Sequence, residues 1–168
     1  QVLRVEDLVK EFPGRRSLGD WLRRRPARPV RALDGVSFEL RAGEVLALVG
    51  ESGSGKTTLI RAIQGLQPTT AGTIELPGKA GSQRRRHRDV QMVFQDPTGA
   101  LDPRFTVYEV LAEPLQNAGM DKAGTRKRIM ELMKLVGLQP DHVNRFPNQF
   151  SGGQRQRIGI ARALAVNP

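Results

Sequence analysis

Residues 44–57 read EVLALVGESGSGKT, and the rest of the chain is best understood outward from this stretch. Its first part, Val45 to Val49, is an unbroken apolar run, the pattern expected of a strand buried on both faces of a parallel sheet. Its second part, Gly50 to Thr57, satisfies G-x-x-x-x-G-K-[ST] in full, and the residues that follow, TTLIRAIQGL, have the pattern of a helix. A strand, a glycine-rich loop and a helix in that order form a phosphate cradle. Gly50, Gly53 and Gly55 let the backbone wrap closely, so that N–H groups from Ser52 and Ser54 through Thr58 point at phosphate oxygens beside the positive end of the helix dipole. Lys56 supplies charge to the β- and γ-phosphates, and the Thr57 hydroxyl is placed to ligate Mg²⁺. A glycine turn that merely joined strand to helix would require neither the lysine nor the hydroxyl. The stretch implies a nucleoside triphosphate site; by itself it separates neither ATP from GTP nor a hydrolase from a kinase.

Upstream, LRVEDLV and ALDGVSFEL read as strands, with Val36, Phe38 and Leu40 alternating against Ser37 and Glu39. Between them an Arg-, Pro- and Gly-rich stretch, about residues 13–31, reads as an inserted loop. Downstream, GTIEL and VQMVF give two further short strand signals. The later half turns helical: Ile129, Leu132, Met133 and Val136 fall at i, i+3, i+4 and i+7, and Gly137 is placed to end that helix. Met130 and Met133 are read as packing residues. The fold class expected is α/β, with an N-terminal antiparallel β part, a partial parallel core sheet and a helical subdomain.

A second glycine motif opens the last helix. In FSGGQ, Phe150 to Gln154, the serine and the glutamine three residues on fit a capping box, which makes Ser151 the N-cap and leaves Gly152 and Gly153 with bare N–H groups at a helix start. Ile158, Ala161 and Ala165 mark the buried stripe of that helix. The chain thus offers two helix starts suited to phosphate, while one nucleotide has a single γ-phosphate.

Composition narrows the field without choosing a function. At 168 residues the chain holds one domain or most of one, and 38% hydrophobic content is ordinary for a globular protein. There is no run of about eighteen apolar residues and no charged-then-apolar leader. With no cysteine and only His87 and His142, a thiolate or imidazole metal cluster is not indicated. The formal charge of +10 is concentrated in arginines such as Arg23 to Arg25 and Arg84 to Arg86, and it lacks the interleaved aromatics of a single-strand nucleic-acid binder.

FSGGQRQRIGIARAL resembles the signature motif of ABC transporter ATPases, with Phe150 in place of the usual leading leucine. In that family the signature of one nucleotide-binding domain caps the γ-phosphate held by the phosphate loop of a second domain. The resemblance therefore implies a head-to-tail dimer in which Ser151, Gly152, Gly153 and Gln154 act in trans on ATP bound with Mg²⁺. It further implies that VFQDP is the Q-loop, with Gln95 sensing Mg²⁺ and the attacking water. The segment from Asp96 to about Tyr108 would then contact transmembrane permease subunits. VKEFPG lies where an adenine-stacking aromatic is usual, which makes Phe12 the candidate, against an equal reading of Phe12 as core packing. The run VQMVFQDPTGALDPRFTVYEVLAEPL and the insertion before VRALDGVSFEL are similar to ATPase subunits of the oligopeptide, dipeptide and nickel importers.

The resemblance divides the chain into a β part with the phosphate loop, residues 1–94, and a part with the Q-loop, helical subdomain and signature helix, residues 95–168. It also implies that a Walker B strand with its catalytic glutamate, and a switch histidine, would follow ARALAVNP, so these 168 residues by themselves are expected to hydrolyse ATP slowly or not at all. The expected role is the ATP-hydrolysing subunit of a peptide or related small-solute importer at the cytoplasmic face of the membrane, with no specific nucleic-acid partner. Two other readings stay open: a soluble ABC-type ATPase acting on nucleic acid, and a non-catalytic nucleotide-binding module that pairs with a complete domain. Salt-sensitive binding to DNA or RNA would favour the former.

Overall fold

The computed structural model describes residues 2–14, 29–76, 89–94, 99 and 101–168. The chain divides into two compact units, Gln1–Arg86 and His87–Pro168.

In the first unit, β1 (Leu3–Phe12) is the middle strand of an antiparallel sheet, flanked by β2 (Val30–Leu40) and β3 (Ala71–Glu75). Alternation decides which side chains turn inward. Leu3, Val5 and Leu8 of β1 are buried, and cross-strand pairs Leu3–Leu40, Val5–Phe38 and Lys10–Leu33 set the register with β2. The register shifts near Asp7, a non-glycine residue at φ 45°. That bulge is held by the Asp7 N–H donating to Ser37 Oγ at 2.8 Å and by the Ser37 hydroxyl donating back to Asp7 Oδ1 at 3.3 Å. Gly72, at φ 85°, lies against it so closely that a Cβ there would sit 2.4 Å from the Asp7 carbonyl oxygen.

Helix α1 (Lys56–Ile63) buries Leu59 and Ala62 in the same core as Leu3, Val5, Leu8, Leu33 and Ile74. Each fully buried leucine or valine of this kind contributes about 1.5–3 kcal/mol.

The second unit is helical. α2 (Val107–Asn117) starts at a complete capping box, in which the Glu109 N–H donates to Thr106 Oγ1 while the Thr106 N–H donates to Glu109 Oε2 at 2.7 Å. The Thr106 N–H foremost, and the Thr106 hydroxyl donating to the same Oε2 at 2.8 Å, hold the Glu109 carboxyl below its usual range. α3 (Lys122–Leu135) is capped by Asp121, which accepts from the Gly124 N–H at 2.9 Å, and it ends at Gly137 in the left-handed region at φ 69°. Two 3₁₀ turns, Pro140–Asn144 and Pro147–Gln149, lead into α4 (Gly152–Leu164). Leu111, Leu115, Ile129, Leu132, Met133 and Ile158 are fully buried at the centre of the unit. The expected stripes are therefore observed: Ile129, Leu132 and Met133 lie in the core with Met130 and Val136 packed against it, and Ile158, Ala161 and Ala165 are buried on α4.

Arginines tie α3 and α4 together reciprocally. Arg128 of α3 donates to the Leu164 carbonyl at the end of α4, and Arg157 of α4 donates to the Val136 and Gly137 carbonyls at the end of α3. Each supplies donors to carbonyls that a helix end leaves without intrahelical partners.

The sequence expectations need three corrections. Val45 to Val49 is not a strand: Val45 and Val49 are 93% and 91% exposed, and among the described residues no segment pairs with this run. An apolar run becomes a buried parallel strand only where neighbours accept its backbone groups and cover both faces. The described sheet is accordingly the antiparallel one, and no parallel core strand is formed among the described residues. VQMVF, residues 90–94, likewise forms no strand, and Val93 and Phe94 are exposed. Finally, β2 begins at Val30, inside the stretch read as an insertion; residues 15–28 of that stretch lie outside the described residues.

Candidate functional site

The phosphate-binding pattern lies in the first unit, in the turn that enters α1. Gly55 is the N-cap of that helix at φ 92°, and Gly53 precedes it at φ 84°; both values are strained for residues with a Cβ. Gly55 is required on a second count, because a Cβ there would come 2.3 Å from the Ala32 carbonyl oxygen and 3.2 Å from Leu33 Cδ2. Strand β2 therefore seats the loop directly. Since glycine brings no side chain to cap the helix, the N–H groups of Lys56, Thr57 and Thr58 lack the acceptor that a serine or aspartate would give.

Lys56 folds back over the loop. Its ammonium donates to the Gly50 carbonyl at 2.8 Å, the Glu51 carbonyl at 2.6 Å and Ser54 Oγ at 3.2 Å. Gly50 is tight against the same group, as a Cβ there would meet Ser54 Oγ at 2.7 Å. The result is a fixed cation, a ring of backbone and an uncapped helix start, with Ser52, Gly53 and Ser54 exposed to solvent. Such an arrangement favours a polyanion, which supplies acceptors to the helix N–H groups and a counter-charge to the ammonium. Thr57 stands exposed in the first turn beside Lys56, where a phosphate-bound cation could take its hydroxyl as a ligand.

Phe12 closes the edge of β1, half-buried, opposite Val30 of β2. The Lys10 ammonium lies over its ring, 5.0 Å from the centroid. Sequence reading had no role for Lys10, although the period-two alternation of a strand places residues 10 and 12 on one face and could have flagged the pair.

The second motif lies in the second unit. Ser151 is the N-cap of α4: its Oγ accepts from the Gln154 N–H at 3.3 Å, and its own N–H donates to Gln154 Oε1 at 3.0 Å. Sequence reading anticipated this box. Gly152 and Gly153 are exposed, and a Cβ on either would meet nothing within 4 Å. Among the described residues, packing therefore gives no reason for glycine at these two positions. Phe150, just before the cap, is buried and makes an edge-to-face contact with His142, with ring centroids 6.2 Å apart. That contact anchors the turn from which the motif projects.

Gln95 and Asp96 lie outside the described residues. Beyond them, the Asp102 carboxylate receives the Arg104 Nε and Nη2 at 3.0 and 2.7 Å, as well as the Arg104 backbone N–H. Those hydrogen bonds, the side-chain ones foremost, hold the Asp102 carboxyl down to about 2. Among the described residues no cluster of three or more His, Cys, Asp or Glu side chains could hold a metal ion, and no helix is long and apolar enough to cross a membrane.

Comparison with known proteins identifies the family of the chain. The sequence pattern of the ABC transporter family matches residues 33–168. The chain is 49% identical over 173 residues to the oligopeptide transport ATP-binding protein OppD of Mycobacterium tuberculosis, covering 99% of this chain and 28% of that protein. It is 45% identical over 174 residues to the di/tripeptide transport ATP-binding protein DppF of Pseudomonas aeruginosa, covering 52% of it. The chain thus spans between about a quarter and a half of the length of these relatives. Among solved structures, the dimeric ATP-binding cassette MJ0796 bound to ADP and Pi superposes with a TM-score of 0.75 at 29% identity, covering 99% of this chain and 70% of that one.

Proposed function

The chain belongs to the ABC transporter family, and from that premise we propose that it is the ATP-binding part of an importer that takes up peptides or a related small solute. The observation that carries the proposal is the Lys56 ammonium clasped by the Gly50 and Glu51 carbonyls at a helix start with no side-chain cap. The names of the relatives, oligopeptide and di/tripeptide transport ATP-binding proteins, favour peptides as cargo.

In this reading Gly50, Ser52, Gly53, Ser54, Gly55, Lys56, Thr57 and Thr58 bind the ATP phosphates. Lys56 exchanges loop carbonyls for phosphate oxygens, while the uncapped N–H groups of α1 take the remaining negative charge. Phe12 stacks on the adenine. Thr57 and Gln95 hold Mg²⁺, which would neutralise charge developing on the transferred phosphoryl group. Ser151, Gly152, Gly153 and Gln154 serve the other half of a head-to-tail dimer, where the two bare glycines admit close approach to the γ-phosphate of a second domain. The solution of MJ0796 as a dimer supports such pairing. The region from Asp96 to about Tyr108 contacts the permease, which sets the protein at the cytoplasmic face of the membrane. By function the chain divides into residues 1–94, which hold nucleotide, and residues 95–168, which carry the coupling and signature elements.

Phosphoryl transfer to water also needs an oriented base. No residue among these 168 matches one, so this stretch by itself binds ATP and turns it over slowly or not at all.

Calorimetric titration with Mg-ATP tests the proposal. Binding that Lys56→Ala weakens by about tenfold or more is the expected result; equal binding by the variant would overturn the assignment of the site.

A further inference from the structure

We infer that Lys10 is a positioning residue for nucleobase recognition, acting through Phe12, an inference that rests on Phe12 being the stacking residue. Lys10 is only 9% exposed, an unusual burial for a lysine, and its ammonium lies 5.0 Å from the centre of the Phe12 ring. The negative face of the aromatic quadrupole is a favourable partner for the ammonium at that distance. The two residues are i and i+2 on β1, so both project from the same face of one strand.

The strand pairing links this couple to the phosphate loop. Lys10 lies opposite Leu33 and Phe12 opposite Val30 on β2, and Leu33 with the Ala32 carbonyl is the surface on which Gly55 is seated. Ring, ammonium and loop are therefore held by one pair of strands. A base stacked on Phe12 and phosphates held at Gly55 would be registered against each other by β1 and β2.

Two consequences follow for the ring. With Lys10 over one face of the ring, a base would stack on the other. A cation on one face also draws π density toward itself, which makes the other face a better partner for an electron-rich purine. Lys10 touches neither base nor phosphate in this account. Its effect is confined to molecules that carry a base.

The test compares two probes on the full chain, ATP and inorganic tripolyphosphate, the second of which engages the phosphate loop but has no base. Lys10→Met and Lys10→Gln remove the cation, Lys10→Arg retains one, and Phe12→Ala removes the ring. The expected result is a loss of about three- to tenfold in ATP affinity for both neutral variants with tripolyphosphate affinity unchanged. Recovery in Lys10→Arg, and no further loss when Lys10→Met is added to Phe12→Ala, complete the expected pattern. If Phe12→Ala weakens ATP selectively but the neutral Lys10 variants do not, the inference about Lys10 fails and the role of Phe12 survives. If the neutral variants weaken both probes equally, Lys10 is structural only and the inference is overturned. If Phe12→Ala leaves ATP binding intact, the stacking role fails and the inference fails with it.

Discussion

The two helix starts in this chain carry similar glycine-rich, serine-containing sequences and solve the same physical problem in opposite ways. At α1 the N-cap is Gly55 in the left-handed region, and the cap residue brings no side chain to the first-turn N–H groups. At α4 the N-cap is Ser151, and a complete capping box with Gln154 satisfies two backbone donors from within the chain. The α1 start is forced by the fold, since Gly55 is pressed on the Ala32 carbonyl, whereas among the described residues nothing within 4 Å dictates Gly152 or Gly153. In the proposed function, the open helix start over a fixed lysine is the resident anion site. A self-capped start with two exposed glycines is stable by itself and meets an anion only when one is presented to it.

This contrast can be broken at either end, and the largest effect is expected at Lys56. Replacing it with alanine removes a charge-assisted donor to phosphate, worth about 1.5–3 kcal/mol per hydrogen bond, so ATP affinity should fall by roughly tenfold to more than a hundredfold in calorimetry. Gly55→Ala should come next, through stability. Its strained φ and its Cβ at 2.3 Å from a backbone oxygen predict a cost of at least about 1–3 kcal/mol, visible as a lower Tm for the first unit. Gly153→Ala is the matched control in α4. It should leave Tm unchanged or slightly raised, because alanine favours helix and meets nothing there, and an equal loss of Tm at the two glycines would erase the distinction.

Ser151→Ala tests the cap itself, with an expected loss of about 1 kcal/mol in the stability of the helical unit, read by denaturant titration. The smallest effect belongs to acid. The Asp102 carboxyl, held at about 2 against an ordinary 3.8, favours the folded state at all pH above 3.8 and loses that contribution as pH falls toward 2. Because the pair with Arg104 is solvent-exposed, Asp102→Asn should change the unfolding midpoint little at pH 7 and flatten its dependence only below pH 4.

Local rules were legible in the sequence where local physics decides the outcome. The capping box at Ser151 needs only a serine and a glutamine three residues apart, and the α3 stripe of Ile129, Leu132 and Met133 needs only the helical period. Val45 to Val49 failed because a run of apolar residues states a preference for burial without stating which neighbours provide it; the described structure leaves Val45 and Val49 exposed. The Lys10–Phe12 pair was missed for a different reason. Alternation gave the shared face, but a lysine in a strand reads as solvated until its burial over a ring is seen. The seating of Gly55 on Ala32 joins positions 23 residues apart, which no spacing rule announces.

The most direct measurement is a map of backbone amide shifts by NMR as Mg-ATP is added to the full chain. The account predicts large shifts from Gly50 to Thr58, where the α1 start is open, and little change from Ser151 to Gln154 at concentrations where the chain is monomeric. Shifts concentrated at Ser151 to Gln154 with the Gly50 to Thr58 amides unmoved would contradict it, because the self-capped helix start would then be the resident nucleotide site.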